Sequence, residues 1–224
     1  DMRGGILTIT GNASAATSQT VAGLTLASGG SNRITVAAGA GQTAVINLGA
    51  ITRAAGAGTL RVVLPSGTQD ATNGVITSST VTNGTMAGYL TISDGTGVYF
   101  ATKNASNNLI AVASTTKTDV STWSGIDNVD NVGGAFTGTF AASGSINTLT
   151  FASASSSTVT IASGATLNIL SGGVLMTSAV TSGTHTITGG RLTSGIADLV
   201  FTHEGAATLN VASNIGSNNA ITKT

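Results

Sequence analysis

The sequence predicts an all-β protein, a parallel β-helix with about three short strands per coil. Three observations predict it: small residues dominate the chain, apolar residues alternate with threonine, and one block of sequence occurs twice. Of 224 residues, 31 are Gly, 32 Ala, 25 Ser and 39 Thr, together more than half. Charged residues make up 7%, against about 25% in ordinary soluble domains. Eight basic residues balanced by eight acidic ones supply no cationic face for nucleic acid or an anionic membrane surface. Hydrophobic residues at 41% with zero net charge oppose disorder, which goes with few aliphatics and high net charge. The absence of cysteine excludes a disulfide, a thiolate metal site and a cysteine nucleophile. No apolar run approaches the ~18–20 residues of a membrane helix. Asp1-Met2-Arg3-Gly4-Gly5 opens directly into strand-like sequence, and the chain is read as a piece of a longer polypeptide.

Element by element, the period is two. In the first half, Leu7-Thr8-Ile9-Thr10, Leu24-Thr25-Leu26, Ile34-Thr35-Val36 and Leu90-Thr91-Ile92 alternate. In the second, Leu149-Thr150-Phe151, Val159-Thr160-Ile161, Leu167-Asn168-Ile169 and Leu209-Asn210-Val211 do the same. Alternation places aliphatics on one face and threonines on the other. Turn formers separate the runs: SGGSN (28–32), TNG (82–84), SDGTG (93–97), SGG (171–173) and TGG (188–190). The Ala-rich stretch AAGAG (54–58) is broken by glycine and lacks the Glu, Lys and Leu that sustain a helix.

Residues 20–40 align without gaps to 145–165. The alignment pairs Val21 with Ile146, Leu24 with Leu149, Leu26 with Phe151, Ile34 with Val159 and Val36 with Ile161. Residues 74–85 align to 173–184 at an offset about 26 residues shorter. The expected organisation is one solenoid segment over 1–224. It carries an internal duplication (about 19–114 and 144–213), an extra coil at about 49–72 and a divergent insert at about 115–143. A solenoid tolerates a whole extra coil because each coil touches only its neighbours, whereas a barrel would change its shear. The alternative is a pair of tandem β-sandwich domains divided within 115–143. In a solenoid, strands stack ~4.8 Å apart. Each buried Val, Leu or Ile contributes about 1.5–3 kcal/mol, and each outward Thr, Ser or Asn neighbour pair about 0.2–1 kcal/mol.

GGILTITGNA (4–13) resembles the GxGTLTLTGxN element of autotransporter-associated β-strand repeats. NAITKT (219–224) resembles the segment that precedes such an element, and VTIASGATLNILSGG (159–173) has the same style. The resemblance implies a right-handed β-helical passenger region of a large secreted or cell-surface bacterial protein. The chain departs from that pattern in having nothing near Thr224 that resembles a membrane-barrel strand with aromatic girdles.

Polysaccharide cleavage on a β-helix needs gathered carboxylates with basic partners. Asp1, Asp70, Asp94, Asp119, Asp127, Asp130, Asp198 and Glu204 are scattered instead, so no enzyme, catalytic residue or cofactor is expected. Asp127 and Asp130, in SGIDNVDNVGG (124–134), are weak calcium candidates with Asn128 and Asn131; a polar corner loop in the divergent insert is the favoured reading. His185 and His203 lack zinc spacing and have no G-x-S-x-G partner, so both are expected on a solvated face. Trp123 can stack on a glycan, although covering the core is the commoner use of a lone tryptophan. Arg53 and Arg61 are expected on the outer face of the extra coil, and Tyr89, Tyr99 and Phe100 as core or corner filling. Asn-x-Ser/Thr triplets at Asn12, Asn83 and Asn104 arise by chance in such a composition.

The expected function is a structural or adhesive extracellular scaffold at the bacterial cell surface. Its expected partners are other copies, other surface proteins or a glycan. Low-charge faces favour self-assembly into a layer or fibre. Nucleic acid is not expected. The alternative is a β-helical polysaccharide-binding or polysaccharide-degrading domain.

Overall fold

A computed structural model describes residues 1–27, 29–216 and 220–224. Ser28 of the SGGSN turn and Asn219 of the NAITKT segment lie outside the described residues. The chain divides into two compact units, Asp1–Val112 and Ala113–Thr224. Both are β-solenoids of parallel strands stacked coil on coil, so the sandwich alternative does not hold. Among the described residues the one helical element is a 3-10 turn, Val120–Thr122.

In the first unit, β1 (Ile6–Thr10), β2 (Thr17–Thr20) and β3 (Leu24–Leu26) make the first coil. β4 (Ser31–Ala37), β5 (Ala44–Asn47) and β6 (Ile51–Arg53) make the second, and β7 (Thr59–Val63) and β8 (Gly74–Ile76) follow. Each strand lies parallel on its equivalent, giving β1-β4-β7-β9, with β9 at Leu90–Ser93, then β2-β5-β8 and β3-β6. The alternation seen in the sequence carries over directly: β4 buries Asn32, Ile34 and Val36 and turns Ser31, Arg33 and Ala37 outward. Ile6 faces Arg33, 27 residues on, and Arg33 faces Arg61, 28 on. These coils are longer than the offset of the duplicated blocks suggested, because loops at the corners add residues. The loop after β7 is held by Asn73, whose Nδ2 donates to the Ser66 and Thr68 carbonyls at 2.9 and 3.1 Å. Parallel stacking ends at β9, which continues antiparallel into β10 (Val98–Lys103) and β11 (Leu109–Ala111).

Buried asparagines clip neighbouring coils together. Asn32 accepts from the Gly4 amide at 2.8 Å, on one coil, and donates to the Thr59 carbonyl at 3.0 Å, on another. Such a side chain satisfies backbone groups that a corner would otherwise strand. Three exposed turns share another device, Asp-x-Ser/Thr. The carboxylates of Asp70, Asp94 and Asp119 each accept from the amide and the hydroxyl of the residue two positions on. These bonds favour the ionised form and hold Asp70 and Asp119 below the usual carboxylate pKa.

The second unit begins with β12 (Thr115–Thr116), β13 (Asn128–Asp130) and β14 (Thr139–Phe140). β15 (Gly144–Phe151) and β16 (Ser157–Met176) follow, the latter running through successive faces of one coil with a register shift between Ile161 and Thr166. β17 (Thr184–Ser194) and β18 (Asp198–His203) stack on β16. β19 (Thr208–Val211), β20 (Asn214–Ile215) and β21 (Ala220–Lys223) form the next layer.

Aromatic residues concentrate in this core. Trp123, Phe136, Phe151 and His185 form a chain of edge-on contacts with ring centroids 5.1, 5.3 and 5.5 Å apart. His185 therefore corrects the expectation of a solvated histidine: it is fully buried. It occupies an inward position of β17, two residues before Ile187. Among the described residues neither ring nitrogen makes a well-formed hydrogen bond, the Ser182 backbone offering only a loose contact. Burial pushes its pKa below the ordinary histidine value, and the Ser182 backbone opposes this more weakly. Below about pH 6.5 the unfolded chain takes up a proton that the folded state refuses. Stability should therefore fall as pH drops from 7 toward 5, above the range where the carboxylates titrate. Urea melts across that range check it, and His185→Leu should flatten the dependence.

Candidate interaction surface

The outward face of the second unit is a lattice of hydroxyls. Thr139, Thr160 and Thr188 lie in register, as do Thr158, Thr186 and Asn210. Buried neighbours Val159, Ile161 and Ile187 fix the strands from inside, and β-branching stiffens the threonines themselves. Coil spacing puts neighbours ~4.8 Å apart. No charged residue interrupts these six positions. On the first unit, the Thr25 and Thr52 hydroxyls meet at 3.1 Å across β3 and β6. Exposed aliphatics stand apart from these ladders: Ile6, Ile126, Val132 and Ile221 are each more than half exposed.

The residues singled out from the sequence are distributed through the fold. Trp123 is 4% exposed, its Nε1 donating to the Lys117 carbonyl at 2.8 Å. Partial burial raises the pKa of Asp127, but bonds from Lys117 Nζ at 2.5 Å and the Ser124 amide at 3.0 Å outweigh it and leave the pKa low. Asp130 is buried and accepts from the Ser114 hydroxyl, from Thr116 Oγ1 at 2.7 Å and from the Val132 amide at 3.1 Å. The two carboxylates are thus held by separate partners. Among the described residues no three His, Cys, Asp or Glu side chains gather as a metal site. Asn131 is fully buried and bonds within the fold, to Ala152, Gly134 and Ser157. Arg53 donates to the Gly58 and Ala57 carbonyls and lies 4.9 Å over the Tyr89 ring. Burial pushes the Tyr89 phenol up, and Arg53 pulls the other way. Phe100 is buried, while the Tyr99 hydroxyl meets Thr96 Oγ1 at 3.1 Å. His203 is half-buried at the end of β18. No helix among the described residues is long and apolar enough to cross a membrane.

Sequence reasoning passed over Arg191. It stands in register between Thr166 of β16 and Asn214 of β20. Its place beside TGG (188–190) was the available signal, but only the stacking of three coils brings these residues together.

Stacked parallel coils, inward aliphatics and outward hydroxyl ladders define a parallel β-solenoid. Comparison with known proteins agrees. Over an alignment that covers 97% of its length, the chain is 31% identical to the adhesin BmaC autotransporter of Brucella suis biovar 1 (strain 1330). The match spans 6% of that relative. No protein-family model and no solved structure matches. The resemblance to the β-helical passenger region of autotransporters, drawn from GGILTITGNA, thus stands on both sequence and fold.

Proposed function

We propose that this chain is a solenoid stretch of a larger adhesive protein exported to the bacterial cell surface, where it extends and displays contact faces rather than turning over a substrate. The similarity to an autotransporter adhesin along nearly the whole chain carries this reading. The fold supports it, since hydroxyl-lined faces of low charge present broad contact area without like-charge repulsion. Deleting residues 1–224 from the parent protein should lower adhesion of the bacteria while leaving export intact. Undiminished adhesion would remove the assignment.

Lateral association of copies through the threonine lattice is part of the proposal. Sedimentation should show concentration-dependent species, and Thr160→Lys with Thr188→Lys should return the chain to a monomer by placing like charges in register. A monomer at every concentration would count against assembly. The stretches at about 19–114 and 144–213 are read as copies of one ancestral block, with 49–72 as the added coil and 115–143 as the insert between them. Support comes from the paired positions Leu24/Leu149, Leu26/Phe151, Ile34/Val159 and Val36/Ile161, all buried, although Val21 is exposed where Ile146 is buried.

Asp127 and Asp130 serve the fold in this account. Millimolar calcium should leave the melting temperature unchanged, and a rise of several degrees abolished by Asp130→Asn would reassign them as ligands.

A further inference from the structure

A groove of about 650 Å³ crosses the second unit where β16 and β17 turn from one face of the coil to the next. That volume lies within the ~300–1,000 Å³ common for small-molecule sites. Two glycines create the indentation. A Cβ on Gly189 would lie 2.0 Å from the Ile161 carbonyl oxygen, and one on Gly190 2.5 Å from that of Ala165. The backbone is therefore drawn against the preceding coil, and the surface is left concave. Polar side chains border the hollow: Ser163, Thr166, Arg191 and Asn214.

Thr166, Arg191 and Asn214 come from three successive layers in register, so rigid strands hold their spacing. Among the described residues of the lining, Arg191 is the only charged one. Its guanidinium makes no hydrogen bond or ion pair among the described residues. A guanidinium offers a planar fork of donors that fits a carboxylate or sulfate with two parallel bonds. The rest of the described lining offers hydroxyls, an amide and glycine backbone, with Ala165 as its one apolar side chain. That chemistry suits the hydroxyl-rich ring of a sugar and provides no apolar recess for a peptide side chain.

We propose that this groove binds an acidic sugar residue of a glycan, its anionic group on Arg191 and its hydroxyls on Ser163, Thr166 and Asn214. The proposal deepens the adhesive reading and rests on it, giving the stretch a ligand class.

Amide spectra of the isotope-labelled chain test it. The probes are an oligosaccharide containing glucuronic acid, its uncharged glucose counterpart, inorganic sulfate and an acidic peptide. The acidic oligosaccharide should shift the amides of Ser163–Thr166, Gly189–Arg191 and Asn214. The glucose counterpart, sulfate and peptide should each bind about tenfold more weakly or worse, since each lacks either the charge or the hydroxyls. Arg191→Gln should weaken the acidic oligosaccharide by about tenfold or more, with amides outside the groove unmoved as evidence of folding. Arg33→Gln, on the first unit, should change nothing. Unmoved groove amides, equal binding of acidic and uncharged sugars, full binding by Arg191→Gln, or equal affinity for sulfate or peptide would each overturn the proposal. Adhesion is scored separately. If deleting the stretch abolishes adhesion but the groove stays silent to all four probes, the adhesive reading survives and this one falls.

Discussion

Phe151→Ala should destabilise the second unit by about 3–5 kcal/mol, the range for emptying a fully buried aromatic site. Phe151 has no exposed surface and stands between Phe136 and His185 in the aromatic chain. Its removal deletes two edge-on contacts, worth about 0.5–1.5 kcal/mol each between aromatic rings, and leaves a hollow that paired strands on either side cannot collapse to fill. β15 is parallel to β13 and β16 at once, so its backbone cannot shift without breaking two ladders. Chemical denaturation should show the lower midpoint. Phe151→Leu should recover a large part of the loss, because the matched position in the first unit is Leu26, itself buried.

Asn131→Ala should be the second large loss, for a different reason. The side chain is fully buried and accepts from the Ala152 amide at 2.7 Å, while donating to the Gly134 carbonyl at 2.9 Å and Ser157 Oγ at 3.0 Å. Alanine leaves the Ala152 amide and the Gly134 carbonyl, both on half-buried residues, without those bonds, and the loss approaches about 1–3 kcal/mol for a group that water does not reach. Ser157 suffers less, since its hydroxyl also donates to the Ser155 carbonyl and accepts from the Phe136 amide. Asn210→Ala, on the exposed lattice, should stay within about 0.5 kcal/mol of the parent. A melt in which the two alanine variants behave alike would show that the buried clip adds nothing to coil pairing.

The strands were legible because threonine and aliphatics alternate, and most of the inward set follows from that pattern, although Thr91 is buried between Leu90 and Ile92 and Leu7 is exposed. Ile34, Val36, Val159 and Ile161 are all buried as that pattern requires. The same pattern contained His185, two positions before Ile187, but its residue type suggested solvent. Coil length was less legible, because it depends on corner loops such as 64–73, where Asn73 holds Ser66 and Thr68 and also accepts from the Ala44 amide, 29 residues away, at 3.3 Å. The buried asparagines were hidden for a related reason. Asn32 and Asn131 look like turn residues, and only stacked coils show which backbone groups they join. Arg191 was invisible as a site because Thr166 and Asn214 lie 25 and 23 residues away in sequence and meet it only through register.

In-register parallel stacking is the claim beneath all of this, and the cysteine-free chain allows a direct measurement by paired cysteines. Thr25→Cys with Thr52→Cys places two thiols where hydroxyls now meet at 3.1 Å. Thr25→Cys with Thr35→Cys places them where an antiparallel hairpin of β3 and β4 would join them. Rapid disulfide formation in the first pair alone is the predicted result; cross-linking of the second pair in preference to the first would contradict the solenoid.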